Sequence, residues 1–192
     1  MLDLLYSLDV YIFHICNSWI ANPLFDSIMP FITEVKNFYI IYVCLFIWLL
    51  WCGGKKGRIC AGVLAASLLI ADPLNSQIIK ELVGRIRPCH TFVENIRLLV
   101  PCGGGKSFPS SHAVNNFIAA FVISSYYPKV RLLVYSIAST VAISRVYVGV
   151  HYPSDIIGGS IEGMVLGFIL IKIAQKTENY FSSKEISTNF EN

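Results

Sequence analysis

The sequence predicts an all-α protein, a polytopic bundle of transmembrane helices, and composition is the first reason. Of the 192 residues, 55% are hydrophobic and only 14% are charged, whereas about 25% of the residues in soluble domains are charged. The second reason is that five apolar stretches approach the roughly 20 residues that cross a bilayer as a helix. We therefore expect about five spanning helices, at residues 37–52, 59–80, 111–127, 130–150 and 154–175.

The N-terminal segment and the C-terminal tail flank these stretches. The first 20 residues mix apolar side chains with Asp3, Asp9, His14 and Asn17 and lack a basic region. This pattern favours an interfacial helix or a sixth helix over a cleaved signal peptide. Residues 1–176 are then a single transmembrane domain, and residues 177–192 form a polar cytoplasmic tail.

The second apolar stretch contains the dipeptide Asp72-Pro73. Proline bends a helix and frees backbone groups, so this dipeptide predicts a kink in which Asn75 is a suitable partner for the carboxylate. The alternative is that Asp72 belongs to a path for substrate or protons. The sequence favours the structural interpretation slightly.

The positively charged residues predict which way the helices face. If all five stretches span, one side of the membrane holds eight of the 15 Lys and Arg residues and the other holds seven. The first side includes the short basic turns at 52–58 and 126–131, and basic residues in short loops favour the cytoplasm. The net charge of +3 is small and scattered, so we expect no nucleic-acid partner.

Three polar motifs lie at ends of the predicted helices that reach the opposite side. They are KELVGRIRP from Lys80, PSSH ending at His112, and SRVYVGVHYPSD from Ser144 to Asp155. An ionisable side chain costs about 2.5–3.5 kcal/mol at the bilayer centre, so a group of them indicates a functional site. Cations, two histidines and a carboxylate together indicate phosphoryl transfer through a histidine.

Local sequence assigns roles to the two histidines. Pro153 favours the first position of a helix, which places Asp155 in the first turn, within reach of the ring of His151. We therefore expect His151 to attack phosphorus while Asp155 orients its ring. In FPSSH, Ser110 or Ser111 is expected to cap a helix whose N–H groups bind phosphate, with His112 beside them as the acid.

Together the three motifs resemble the signature of the type-2 phosphatidic acid phosphatase family of integral-membrane lipid phosphatases. That signature is Lys, six residues, Arg-Pro; then Pro-Ser-Gly-His; then Ser-Arg, five residues, His, three residues, Asp. The chain keeps every spacing and departs only at Ser111, where glycine is usual. The resemblance implies a phosphohistidine intermediate, no cofactor and no metal. It also implies that the phosphate-binding residues are Lys80, Arg87, Ser110, Ser111 and Arg145, and that the catalytic residues are His112, His151 and Asp155.

The resulting prediction is a lipid phosphatase of the bacterial inner membrane whose active site faces the periplasm. A broad, basic loop favours lipid A 1-phosphate or undecaprenyl pyrophosphate as substrate, with Arg85 and Lys106 as headgroup contacts. Phosphatidylglycerol phosphate and phosphatidic acid are the alternatives that the resemblance allows.

Two other classes of function compete with the phosphatase. An anion or proton transporter needs charges through the membrane depth, whereas here they cluster at one face. A metal- or vanadate-dependent oxidase is disfavoured because one apical histidine offers no closed set of ligands.

Cys89 and Cys102 flank the long loop between the second and third stretches. In an oxidising periplasm they are expected to form a disulfide, and two free thiols are the alternative. Their spacing does not suit a closed zinc site.

Overall fold

The computed structural model describes residues 2–92 and 95–190, and within them the chain folds as helices with no strand. Three helices form the N-terminal part. Asn22 caps the second by accepting a hydrogen bond from the Phe25 N–H at 3.0 Å. A bend of 71° then separates the second helix from the segment Val35–Trp51. The three helices are α1 (Leu2–His14), α2 (Pro23–Thr33) and α3 (Tyr39–Trp51).

A long interrupted helix follows. It consists of α4 (Gly54–Pro73), a π-helical segment (Leu74–Ile79) and α5 (Lys80–Val83). Pro73 therefore marks a change of helical geometry, in agreement with the expected irregularity. The predicted partnership of Asn75 with Asp72 is wrong, because Asn75 is buried with no hydrogen-bond partner for its side chain among the described residues.

The C-terminal half contains the longest helices. A short helix, α6 (Pro88–Thr91), precedes the long loop, and three further helices follow it. These are α7 (Ser111–Tyr126), α8 (Arg131–Tyr147) and α9 (Pro153–Phe190).

Helices occupy all five predicted apolar stretches. By length and composition, three are sufficient to cross a membrane, namely Gly54–Thr91, Pro128–Tyr147 and Pro153–Phe181. The bent pair of α2 and α3 makes a fourth if it forms one span. With 16 residues, α7 is shorter than the roughly 20 residues of a full span. The all-helical membrane architecture is confirmed, and α9 remains helical through the predicted tail as far as Phe190.

Helix α7 lies at the centre of the bundle and packs against α4, α8 and α9. Its buried residues Val114, Ile118 and Val122 form a core with α4 and α9. At Gly163 of α9 the two backbones approach so closely that an added Cβ would lie 2.4 Å from the Val114 carbonyl oxygen. This packing aligns the two helices so that their N-terminal turns lie at the same end of the bundle.

We predict that Gly163→Ala destabilises the protein by about 1–3 kcal/mol, because the added methyl group overpacks the contact between α7 and α9. Gly62→Ala is the matched control, since an added Cβ at that position meets nothing within 4 Å. Thermal unfolding of the two variants in detergent measures the difference. Equal melting temperatures would contradict the role of this contact.

Candidate active site

His151 and Asp155 lie where α8 turns into α9. Gly149 has a φ of 89°, a conformation that glycine adopts without strain, and it redirects the chain towards α9. Asp155 is fully buried in the first turn of that helix. Its Oδ2 lies 3.3 Å from Nδ1 of His151. The same oxygen accepts hydrogen bonds from the Tyr152 N–H at 2.8 Å and from the Ser107 hydroxyl. These donors fix the carboxylate so that it can orient the imidazole ring.

The environment keeps His151 neutral. Burial lowers the pKa of its imidazole to about 4, although the hydrogen bond with Asp155 acts in the opposite direction. A neutral ring that donates its Nδ1 proton to a carboxylate has a free lone pair on Nε2. At neutral pH the ring is therefore a nucleophile that needs no deprotonation.

His112 lies in the first turn of α7, which begins at Ser111. Arg145, His151 and Lys80 are near enough to act electrostatically on its ring. The structure thus brings both predicted imidazoles into one charged environment, at the end of the bundle where α7 and α9 begin.

Three buried cations surround the histidines. Lys80, Arg87 and Arg145 are each 9% exposed, and among the described residues none has a carboxylate within 4.0 Å. Each donates instead to a neutral acceptor. The acceptors are the Ser111 hydroxyl at 2.9 Å, the Cys102 carbonyl at 3.1 Å and the Thr33 hydroxyl at 2.7 Å, respectively. Buried cations without counter-ions are suited to binding an anion.

The two serines before His112 differ from the expected arrangement. Ser110 stands at the N-cap of α7, but its side chain makes no capping hydrogen bond, and its buried hydroxyl has no partner among the described residues. Its N–H donates to the Asp155 carbonyl at 3.0 Å, so this N–H is not free to bind phosphate. What Ser110 offers the site is a buried hydroxyl without a partner.

The two predicted headgroup contacts occupy different environments. Arg85 does not point outward, because its guanidinium pairs with Asp155 and Asp9. Lys106 is half-buried in the long loop, and its contact with a headgroup stays a prediction.

The model of the PAP2 superfamily matches residues 56–178. The chain belongs to this superfamily. It is 29% identical over 187 residues to the lipid A 4'-phosphatase of Bacteroides thetaiotaomicron, covering 92% of this chain and 81% of that protein. Undecaprenyl-diphosphatase BcrC of Bacillus subtilis is 26% identical over 156 residues, which is 80% of this chain and 77% of the relative.

The fold is shared with a solved PAP2 structure. The transmembrane PAP2 type phosphatidylglycerolphosphate phosphatase from Bacillus subtilis superimposes with a TM-score of 0.67 at 24% identity, covering 90% of this chain and 87% of that one. The predicted family and the predicted membrane fold are confirmed.

Three residues that bind side chains of this site were not predicted from the sequence. Thr33 binds Arg145, Ser107 binds Asp155, and Asp9 binds Arg85. Asp9 and Thr33 lie outside the region that matches the family model. Asp9 carried a usable signal, since it is an acidic residue within an apolar segment, but its alternation with apolar residues suggested a water-facing surface.

The predicted disulfide between Cys89 and Cys102 is present. Arg87 donates a hydrogen bond to the carbonyl of Cys102. The disulfide therefore holds this carbonyl close to Cys89, which follows shortly after Arg87 in the chain. The joined sulfurs also leave no thiolate for the cluster of Cys89, His90 and Cys102 to offer a metal.

We predict that stability falls as the pH is lowered from about 6.5 towards 4. Burial lowers the pKa of His151 in the folded protein to about 4, whereas an unfolded histidine has a pKa of about 6.5, so the unfolded state binds more protons in this interval. Thermal unfolding at pH 7.5, 6 and 5 measures the effect. His151→Gln should show a smaller slope with pH, and equal slopes would contradict the assignment.

Reduction of the disulfide should weaken phosphate binding. Loss of a hydrogen bond from a charged donor costs about 1.5 kcal/mol, so we expect KM to rise on the order of tenfold with little change in kcat. The measurement compares lipid phosphate turnover before and after reduction, and in Cys102→Ser. Cys44→Ser, at an exposed free cysteine, is the control. An unchanged KM after complete reduction would refute the link to Arg87.

Proposed function

We propose that the protein hydrolyses the phosphate or diphosphate of an envelope lipid through a phosphohistidine on His151. The observation that carries this proposal is a group of three buried cations beside a neutral imidazole that a carboxylate orients. Among the described residues, these cations have no carboxylate within 4.0 Å. The predicted enzyme class, a membrane lipid phosphatase, is confirmed by the family and by the phosphatases among its relatives.

The first step forms the phosphohistidine. Lys80, Arg87 and Arg145 bind the phosphoryl oxygens and neutralise charge as it shifts in the transition state. Nε2 of His151 forms a bond to phosphorus while the bond from phosphorus to the lipid oxygen breaks. His112, which takes up a proton as the anionic phosphate binds beside it, gives that proton to the departing oxygen. Asp155 stabilises the positive ring of His151 through Nδ1.

The second step releases inorganic phosphate. His112, now neutral, takes a proton from a water molecule as the water oxygen attacks phosphorus. The bond from phosphorus to Nε2 breaks, and His151 returns to its neutral form. The cations of the site supply the charge neutralisation that metal ions supply in other phosphatases, so we propose that the reaction is independent of metal and cofactor.

The proposed substrates are a phosphate ester of lipid A or undecaprenyl pyrophosphate. The names of the two relatives, a lipid A 4'-phosphatase and an undecaprenyl-diphosphatase, support both. The sequence favoured the 1-phosphate of lipid A, and the Bacteroides relative adds the 4' position. Phosphatidylglycerol phosphate and phosphatidic acid remain the alternative substrates.

We further propose that the protein lies in the bacterial inner membrane with this site facing the periplasm. A disulfide beside the site indicates an oxidising compartment. Lys55 lies at the start of α4, in the basic turn at 52–58 that is predicted to face the cytoplasm, and pairs there with Glu178 at 2.8 Å.

His151→Gln should reduce release of phosphate from lipid A or undecaprenyl pyrophosphate by about 10⁴-fold or more, because the nucleophile is lost. His14→Ala removes a histidine outside the site and should retain wild-type turnover. Radioactive phosphate from substrate should appear on the wild-type protein after rapid quenching, and none should appear on His151→Gln. No release from any of the four lipid phosphates by the wild-type protein would favour the transporter.

A further inference from the structure

Arg85 contacts both carboxylates near the start of α9. Its Nη1 donates to Oδ1 of Asp155 at 2.9 Å and also to the Ser154 hydroxyl, while its Nη2 donates to Oδ2 of Asp9. The face of the guanidinium lies 3.9 Å from the centroid of the Tyr152 ring. Arg85 therefore holds the oxygen of Asp155 that His151 does not use.

Asp9 connects α1 to the same turn. Its Oδ1 accepts a hydrogen bond from the Ser154 N–H at 2.8 Å, and its Oδ2 accepts one from the Ser154 hydroxyl. Asp9 thus satisfies an N–H in the first turn of α9, where helices leave N–H groups without partners. The side chain fixes the backbone directly before Asp155 as well as the guanidinium that holds Asp155.

The charge balance of Arg85 separates it from the phosphate-binding cations. Arg85 is paired with two carboxylates, whereas Lys80, Arg87 and Arg145 have none within 4.0 Å among the described residues. A cation already neutralised in this way adds little attraction for a phosphate. Its contacts are suited to orientation, not to binding substrate.

We propose that Asp9 and Arg85 are positioning residues that hold Asp155, and through it the ring of His151, in the geometry for phosphoryl transfer. This inference rests on the proposed function. With Asp9 in place, Arg85 divides its donors between two carboxylates and leaves Oδ2 of Asp155 to the ring. Without the charge of Asp9, Arg85 turns to Asp155 alone and draws Oδ2 away from Nδ1. Helix α1 is therefore part of the catalytic unit, although it lies outside the region that matches the family model.

The test compares Asp9→Asn with Asp26→Asn. Both variants remove a carboxylate that pairs with an arginine. Asp26 pairs with Arg97 and accepts a hydrogen bond from the Tyr147 hydroxyl, and its described contacts include neither His151 nor Asp155. In Asp9→Asn we expect kcat for release of phosphate from lipid A or undecaprenyl pyrophosphate to fall about 10- to 100-fold. Losses of this size follow when a residue that orients a metal-binding side chain is removed. KM should stay within about twofold, and Asp26→Asn should retain wild-type values of both.

A second measurement reads the ring directly. Nitrogen NMR of ¹⁵N-histidine protein in micelles distinguishes the two neutral tautomers, and His151→Gln identifies the signals of His151. We expect the Nδ1-protonated form alone in the wild-type protein and in Asp26→Asn, and a mixture of tautomers in Asp9→Asn. A purely structural role for Asp9 would not change the tautomer.

Two results would overturn the proposal. One is a folded Asp9→Asn variant with wild-type kcat and a single tautomer. The other is a raised KM at unchanged kcat, which would indicate that Arg85 contacts the lipid headgroup.

If the wild-type protein hydrolyses none of the lipid phosphates, the proposed function fails, and the tautomer measurement decides on the role of Asp9 independently. If Asp9→Asn does not fold, Arg85→Lys, which cannot reach both carboxylates, is measured in the same two ways with the same expectations.

Discussion

Three buried cations that have no carboxylate within 4.0 Å among the described residues are the constraint on which the rest of this structure depends. Burying an unpaired charge costs several kcal/mol, and Lys80, Arg87 and Arg145 lie within one small region. The protein reduces this cost with single neutral acceptors and leaves the charges available to an anion. Because each acceptor comes from a different segment, the ends of α2, α5, α7 and α8 must meet at one place. The close packing of α7 against α9 makes that meeting possible.

Asp155 couples this cationic region to the ring of His151. One oxygen serves His151, Tyr152 and Ser107, and the other serves Arg85. A carboxylate near a helix N-terminus is stabilised as an anion, so Asp155 can stabilise a positive imidazole without taking its proton. The orientation of one ring thus depends on segments as distant in sequence as α1 and the loop before α7.

The sequence predicted those parts of the molecule that depend on local pattern. Apolar stretches located the helices, and fixed spacings pointed to His112, His151, Asp155 and the cations, because these residues lie at or beside helix ends. Partners distant in sequence were not predictable. Nothing local distinguishes Thr33 or Ser107 from other hydroxyl residues, and a charge such as Arg85 has the same local pattern whether it faces solvent or two carboxylates. Asn75 shows the same limit, because its expected partner was Asp72, the nearest carboxylate in sequence, and its buried amide has no partner among the described residues.

The bend between α2 and α3 separates two parts of the chain with different surroundings. The first part packs against α8 and carries Thr33 to Arg145. The second part is apolar and packs against α4, with Leu49 buried in that contact. Because the chain bends between these two contacts, Thr33 at the end of α2 is held beside Arg145 by the packing of α2 on α8, whereas α3 is held separately by α4. The anchoring of the partner of Arg145 is thus separate from that of the apolar helix beyond the bend.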